Sequence, residues 1–189
     1  MNLPNVLTMS RFVFTFFIVL LLLSNTLAGF IFAAVLFIAA SLTDFYDGYL
    51  AKKRGISSDF GKIMDPIADK VLILCVFGMM VYLGMVNGWM VLIIAAREIA
   101  VTVSRLQLMS TGKVLAAEAA GKIKTICQIL SIIVILSFLI VEQSAFAVGW
   151  FYKVDIAWRS LINVLMVVNV ILTVGSGAAY FRNVFLAKK

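Results

Sequence analysis

The sequence predicts an all-α integral membrane protein with about six transmembrane helices in a single domain over residues 1–189. The first observation behind this prediction is composition: 63% of the 189 residues are hydrophobic and the mean hydropathy is +1.10. Soluble domains are closer to half apolar. The second is length, because a spanning helix needs about 20 apolar residues and six of them nearly use up the chain.

Six apolar stretches are separated by breaks rich in glycine, serine or charge. The first has no A-x-A cleavage site, so it is expected to be a span and not a signal peptide. The second is expected to continue as a helix to Lys53, since only Gly48 disfavours one there. The third is expected to begin near Pro66, because proline is tolerated in a first helical turn. The stretches are Phe12–Leu23, Leu27–Leu42, Ile67–Tyr82, Trp89–Leu108, Ile126–Val141 and Leu161–Phe181.

Basic residues are distributed unevenly among the connections. They follow the second and fourth stretches and end the chain, whereas Ser24–Gly29 and Gly84–Gly88 have none. The positive-inside rule therefore puts both termini in the cytoplasm of a multi-pass protein of the cytoplasmic membrane. The basic residues on that side are Arg11, Lys52, Lys53, Arg54, Lys62, Lys70, Lys113, Lys122, Lys124, Arg182, Lys188 and Lys189.

Four aspartates flank the connection after the second stretch. Asp44 and Asp47 are three apart and Asp65 and Asp69 are four apart, so on helices each pair shares one face. Pairing with basic neighbours is the simpler explanation for any single one. Four converging carboxylates repel one another, and divalent cations relieve that repulsion. An all-oxygen ligand set favours Mg²⁺ or Mn²⁺, and two such ions suit displacement at phosphorus.

The chain contains no histidine, so acid–base chemistry must use another side chain. The charged segment is on the cytoplasmic side of the predicted topology. We therefore expect a polar, metal-containing cavity that opens towards the cytoplasm. The two cysteines, Cys75 and Cys127, lie in apolar runs and are expected to be small buried hydrophobic residues.

The segment from Asp44 to Asp69 resembles the signature of the CDP-alcohol phosphotransferase family, D-x-x-D-G-x-x-A-R-x(8,9)-G-x-x-x-D-x-x-x-D. All fixed positions match except one, where Lys52 replaces the usual arginine. Lysine keeps the positive charge but loses the bidentate fork of arginine. The resemblance implies a metal-dependent enzyme that moves a phosphatidyl group from CDP-diacylglycerol to an alcohol.

Carried over position by position, the resemblance implies that Asp44, Asp47, Asp65 and Asp69 hold two divalent cations. It also implies that Asp69 is the general base. An alcohol is a poor nucleophile, so a base must accept its proton as it attacks phosphorus. Further positions resemble the family's contacts to the CDP-lipid, although helix capping explains the first two about as well. They are Asn5, Thr8, Gly48, Lys52 and Ser58.

The acceptor alcohol is predicted from four basic residues, Arg97, Arg105, Lys122 and Lys124. Together they would bind an acceptor that bears its own phosphate. Arg97 and Glu98 lie within the fourth stretch, where they must face the bundle or a wet cavity, and simple pairing with each other or with another span is the alternative. For the two lysines, ordinary cytoplasmic charge is the alternative.

Around these basic residues the chain is similar to the bacterial phosphatidylglycerophosphate synthases of the family. These use sn-glycerol 3-phosphate and give phosphatidylglycerol phosphate and CMP. Inositol, inositol phosphate, serine or phosphatidylglycerol remain alternative acceptors, and an intramembrane prenyltransferase or an ion transporter are alternatives of another class. By resemblance we expect a homodimer, with Gly175–Ala178 as a candidate close-packing surface, and no nucleic-acid partner.

The orientation can be tested by cysteine labelling. Asn87→Cys should react with an impermeant reagent applied outside intact cells, because the connection at Gly84–Gly88 is predicted to be external. Lys53→Cys should react only after the cells are permeabilised. The reverse labelling pattern would overturn the predicted orientation.

Overall fold

The computed structural model is all-helical in the residues that it describes, which are 3–54, 59–110, 119–145 and 151–186. Side chains are described for residues 9–43, 64, 67–108, 121–144 and 155–186. Each predicted apolar stretch lies within one helix. The helices are α1 (Leu3–Leu23), α2 (Leu27–Arg54), α3 (Asp59–Tyr82), α4 (Gly88–Ser110), α5 (Ala119–Ala145) and α6 (Phe151–Leu186).

The helices are longer than the apolar stretches that predicted them. The continuation of α2 to Lys53 is confirmed, since the helix ends at Arg54. The predicted start of α3 near Pro66 is wrong, because the helix already begins at Asp59. Hydropathy marks only the apolar part of a helix, and polar turns extend it at the ends. Asp65 and Asp69 therefore both lie inside α3.

A tight turn joins α1 to α2. Asn25 adopts a positive φ of 47°, and the Thr26 hydroxyl oxygen accepts a hydrogen bond from the Gly29 amide at 3.1 Å, which caps α2. A β-carbon at Gly29 would lie 2.3 Å from the Ser24 hydroxyl oxygen and 2.5 Å from the Leu21 carbonyl oxygen. Only glycine fits this position, and the short turn makes α1 and α2 antiparallel neighbours.

The turn between α3 and α4 likewise combines a residue of positive φ with a side chain that caps the next helix. Gly84 has a φ of 72°, and the Met85 amide donates back to the Met80 carbonyl at 2.9 Å, which closes the end of α3. The Asn87 side-chain oxygen then accepts from the Trp89 amide at 3.1 Å and caps α4. The predicted break at Gly84–Gly88 is confirmed.

The six helices form a closed ring. α1 packs on α2 and α3, α5 packs on α2 and α6, and α4 packs on α3 and α6. The order around the ring is therefore α1, α2, α5, α6, α4, α3. α3 and α5 also touch each other across the ring. This arrangement makes α3 a neighbour of α1, α4 and α5 at once.

The interior combines a large apolar core with several buried polar groups. The Asn169 amide nitrogen of α6 donates to the Ser131 hydroxyl oxygen of α5 at 2.6 Å and, within α6, to the Leu165 carbonyl oxygen at 3.0 Å. Such polar contacts hold helices together where lipid supplies no hydrophobic driving force. The largest buried apolar side chains are Phe30, Phe37, Phe77, Phe138, Ile18, Leu22, Met80, Ile94, Ile132, Ile135 and Leu136.

Large apolar side chains cover the outside of the bundle. Phe16, Phe32, Trp89 and Ile171 are 60–72% exposed, whereas charged Arg11, Glu98 and Lys124 are buried. Soluble proteins show the opposite distribution. Two described segments, Gly121–Ser144 and Asp155–Leu186, are long and apolar enough to cross a membrane, and Met9–Leu23 and Leu27–Thr43 are shorter apolar segments. These features are those of a membrane protein.

The cysteine prediction is only partly right. Both cysteines are free thiols, as expected. Cys75 is exposed on the apolar outer surface, so the prediction that it is buried is wrong, while Cys127 is half-buried. In a lipid-facing helix an apolar run continues around the surface, so hydropathy alone does not separate buried positions from exposed ones.

Candidate functional site

Arg11 of α1 forms a buried ion pair with Asp69 of α3. The Arg11 side chain is 3% exposed, and its Nη1 donates to Asp69 Oδ1 at 2.8 Å. The Asp69 side chain keeps 32% of its surface accessible. The contact joins residues that are 58 positions apart and fixes this carboxylate against the first helix.

The sequence prediction used Arg11 only as a signal of topology and missed this pairing. A signal was available. Arg11 is the only charged side chain between Met1 and Thr43, in a segment that is otherwise apolar or uncharged. A lone charge at such a position is expected to face the bundle and to have a partner there.

The other three predicted metal ligands lie on the expected helices. Asp44 and Asp47 belong to α2 and Asp65 belongs to α3, so the helical spacing assumed for each pair is confirmed. Their side chains lie outside the described residues, and their convergence with Asp69 stays a prediction. Among the side chains that are described, no group of three acidic, cysteine or histidine residues is placed to hold a metal ion.

Glu98 of α4 is the centre of a second buried charge cluster. Its side chain is 1% exposed, and its Oε2 lies 2.9 Å from Lys70 Nζ of α3. Lys124 of α5, itself buried, donates from Nζ to Oε1 of Glu98. Arg97 Nη1 lies 3.5 Å from the same oxygen. One carboxylate thus contacts cationic groups from three helices.

Arg97 extends the cluster to the last helix. Its Nη2 donates to the Ser176 hydroxyl oxygen of α6 at 3.0 Å, and only 13% of its side chain is exposed. The prediction that Arg97 and Glu98 face the bundle is confirmed. The alternative, pairing with each other or with another span, also occurs, because Glu98 contacts Arg97 of its own helix and lysines of α3 and α5.

The structure brings together only two of the four basic residues predicted to bind the acceptor phosphate. Arg97 and Lys124 meet at Glu98. Lys122 is exposed, because two residues along a helix turn the side chain away from the face that Lys124 occupies. Arg105 is exposed and its guanidinium carbon lies 5.9 Å from the ring centre of Tyr180.

Residues 1–175 match the family model of CDP-alcohol phosphatidyltransferases. The chain belongs to this family. A CDP-diacylglycerol–glycerol-3-phosphate 3-phosphatidyltransferase of Bacillus subtilis (strain 168) is 41% identical over 157 residues, which cover 82% of this chain and 75% of the relative. The enzyme of the same name from Rickettsia typhi is 35% identical over 182 residues, 96% of each chain.

A third relative carries a closely related name. A probable phosphatidylglycerophosphate synthase of Mycobacterium tuberculosis is 37% identical over 134 residues, 69% of this chain and 64% of the relative. The family predicted from the aspartate motif is therefore confirmed. Its members are transferases, and this chain is an enzyme of that class.

The positions predicted to contact the CDP-lipid lie at the ends of the first two helices and in their connection to α3. Asn5 and Thr8 belong to α1, and Gly48 and Lys52 belong to α2. Their side chains, and the whole of Ser58, lie outside the described residues. Their roles stay predictions.

The Glu98 cluster gives a prediction for stability. Glu98→Gln keeps the shape of the side chain but removes the charge that Lys70 and Lys124 share. Because Lys124 would then be buried without a counter-charge, we expect the free energy of unfolding to fall by about 3–5 kcal/mol. Thermal unfolding of the purified protein in detergent measures the change.

Glu142→Gln is the matched control for this variant. Glu142 accepts from Arg159 at 2.9 Å, and both side chains are substantially exposed, at 31% and 43%. Loss of such an exposed pair should change stability by about 0–1 kcal/mol. Equal unfolding temperatures for the two variants would contradict the predicted contribution of the Glu98 cluster to stability.

Proposed function

We propose that this protein transfers a phosphatidyl group from CDP-diacylglycerol to sn-glycerol 3-phosphate in phospholipid biosynthesis, giving phosphatidylglycerol phosphate and CMP. Family membership supports the reaction class. The names of two relatives that align with most of the chain support the donor and the acceptor. The observation that favours an acceptor with its own phosphate is the buried cationic cluster that includes Lys70, the residue after Asp69.

The charge of that cluster favours an acceptor with its own phosphate. Lys70 and Lys124 share the single carboxylate of Glu98, so these three side chains carry two positive charges and one negative, a net charge of +1. Arg97 lies against the same carboxylate. A phosphate monoester carries a charge of about −1.5 to −2 at neutral pH and compensates this excess positive charge. Inositol and serine have no net negative charge and would not compensate it.

The position of Lys70 links acceptor binding to chemistry. Lys70 directly follows Asp69 on α3, so a phosphate held by the cluster lies near the proposed base. Asp69 accepts the proton of the attacking hydroxyl as the new oxygen–phosphorus bond forms and the bond to the CMP oxygen breaks. Arg11 holds the Asp69 carboxylate in place through its 2.8 Å contact.

The four aspartates of α2 and α3 fit a site for two divalent cations, Mg²⁺ or Mn²⁺. The donor set consists of carboxylate oxygens, which hard cations prefer. The family generally uses divalent cations, which is consistent with this assignment. When bound, such ions neutralise the diphosphate and stabilise the leaving group. Asp44, Asp47, Asp65 and Asp69 are the proposed ligands.

The CDP-lipid is proposed to bind across the ends of α1 and α2. Thr8 lies three residues before Arg11 and Asn5 lies three residues before Thr8, so each successive pair is adjacent on α1. Arg11 contacts Asp69, which supports a role for the first turns of α1, with Asn5 and Thr8, near the diphosphate. Gly48, Lys52 and Ser58 are the further proposed contacts.

The proposed setting is a single multi-pass domain of the cytoplasmic membrane. Six crossings are supported by six helices in the described chain and by their apolar outer surface. An even number of crossings puts both termini on one side, and the basic residues favour the cytoplasm. The metal cavity opens to the same side. The homodimer stays an expectation from the family resemblance.

Incubation with CDP-diacylglycerol and a panel of alcohols tests the function. CMP release should be supported by glycerol 3-phosphate, and glycerol should be weaker by roughly 10²-fold or more because it lacks the phosphate that pairs with the cationic cluster. Glycerol is the matched control, since the two acceptors differ only in that group. CMP release with inositol or serine and none with glycerol 3-phosphate would overturn the proposed acceptor.

The role of Asp69 can be separated from metal binding. Asp69→Asn keeps the size of the side chain and an oxygen that accepts from Arg11, but it cannot take up a proton. The kcat should fall by about 10²–10⁴-fold at any metal concentration. In Asp44→Asn and Asp47→Asn, higher Mg²⁺ or Mn²⁺ should recover part of the rate. Full recovery of Asp69→Asn by excess metal would make Asp69 one more ligand and not the base.

A further inference from the structure

Two small residues near the end of α6, Ser176 and Gly177, are buried inside the bundle. The sequence predicts Gly175–Ala178 as a candidate surface for dimer packing. In the structure Ser176 is 5% exposed and Gly177 is buried, and both lie against Arg97 of α4. Gly175 and Ala178 are exposed on the other side of the helix. Only part of the segment is therefore available to another molecule.

Gly177 lets the aliphatic part of Arg97 cross α6 at close range. A β-carbon at this position would lie 3.0 Å from Arg97 Cγ, 3.3 Å from Nε and 3.7 Å from Cδ. Because ordinary contacts between carbon atoms are about 3.5–4.0 Å, an added methyl group would move the arginine by several tenths of an ångström. The neighbour is one long side chain and not backbone, so the helix packing itself can persist.

Ser176 completes the contact at the guanidinium end. Its hydroxyl donates to the Thr173 carbonyl oxygen at 3.1 Å, which leaves an oxygen lone pair directed towards Arg97 Nη2 at 3.0 Å. The other terminal nitrogen, Nη1, lies 3.5 Å from Glu98 Oε1. The guanidinium is thus held between a hydroxyl of α6 and a carboxylate of α4.

We propose that Ser176 and Gly177 are positioning residues that fix the Arg97 guanidinium for binding of the acceptor's phosphate. This inference rests on the proposed function, in which the cluster around Glu98 receives that phosphate. Recognition of phosphate by arginine depends on a planar, directional group. A displacement of a few tenths of an ångström to one ångström is enough to weaken such a contact.

The test compares Gly177→Ala with Gly175→Ala. For Gly177→Ala, the KM for glycerol 3-phosphate should rise by about fivefold to thirtyfold, as expected for loss of part of a contact to a charged group. The KM for CDP-diacylglycerol should stay within about twofold, because the lipid does not depend on Arg97. Gly175 is exposed and an added β-carbon meets nothing within 4 Å, so its variant should retain both values.

Ser176→Ala tests the same inference without added bulk and keeps it testable if Gly177→Ala does not fold. It removes the hydrogen-bond acceptor of Arg97 Nη2 and should raise the KM for glycerol 3-phosphate in the same direction, by roughly threefold to tenfold. In an Arg97→Ala background, Gly177→Ala should have no further effect on this KM, because the residue through which it acts is gone.

Three results would overturn the inference. The first is an unchanged KM for glycerol 3-phosphate in both Gly177→Ala and Ser176→Ala, and the second is an equal rise of the KM for both substrates. The third is a full effect of Gly177→Ala on the KM for glycerol 3-phosphate in the Arg97→Ala background. Failure of the proposed function gives a different result. In that case the wild-type protein itself releases no CMP with glycerol 3-phosphate.

Discussion

The buried carboxylate of Glu98 is the constraint around which the bundle is organised. A charge inside a helical bundle with an apolar exterior has no water to stabilise it, so it must find partners from neighbouring helices. Lys70, Lys124 and Arg97 supply these partners from α3, α5 and α4. Through Ser176, Arg97 adds α6. Four of the six helices are thereby held in one relative arrangement by a single acidic side chain.

α3 connects the Glu98 cluster to the proposed reaction centre. Lys70 points to Glu98 on α4, whereas the preceding residue, Asp69, points to Arg11 on α1. Consecutive residues of a helix project in directions about 100° apart, and the contacts of α3 with both α1 and α4 use that difference. The proposed base and the cluster proposed to bind the acceptor therefore include consecutive residues of α3 that are supported by different helices, which would separate proton transfer from phosphate binding.

The ion pairs with Glu98 also explain why a strongly cationic cluster is tolerated inside the bundle. Glu98 compensates part of the charge of its partners, and in the proposed function the remaining charge attracts the acceptor's phosphate. Fully neutral packing would give a more stable bundle but no attraction for a phosphate, because buried ion pairs seldom add stability over apolar side chains. The small residues of α6 fit this picture, since they allow Arg97 to lie in the interior with its guanidinium held on both sides.

The sequence by itself determined the membrane class, the six helices, the family and the helical spacing of the aspartate pairs. These follow from local properties, namely hydropathy over about 20 residues, glycine-rich breaks and a motif of 26 residues from Asp44 to Asp69. Only the tertiary structure decided that Arg11 meets Asp69 across 58 positions, that Lys124 meets Glu98 across 26, and that Arg97 meets Ser176 across 79. The start of α3 and the exposure of Cys75 were predicted wrongly because hydropathy records how apolar a segment is but not which side of it faces another helix. The three side-chain pairs could not be predicted because each depends on which helices become neighbours in the ring. That choice depends on the sum of all contacts between the helices and not on any local pattern in the sequence.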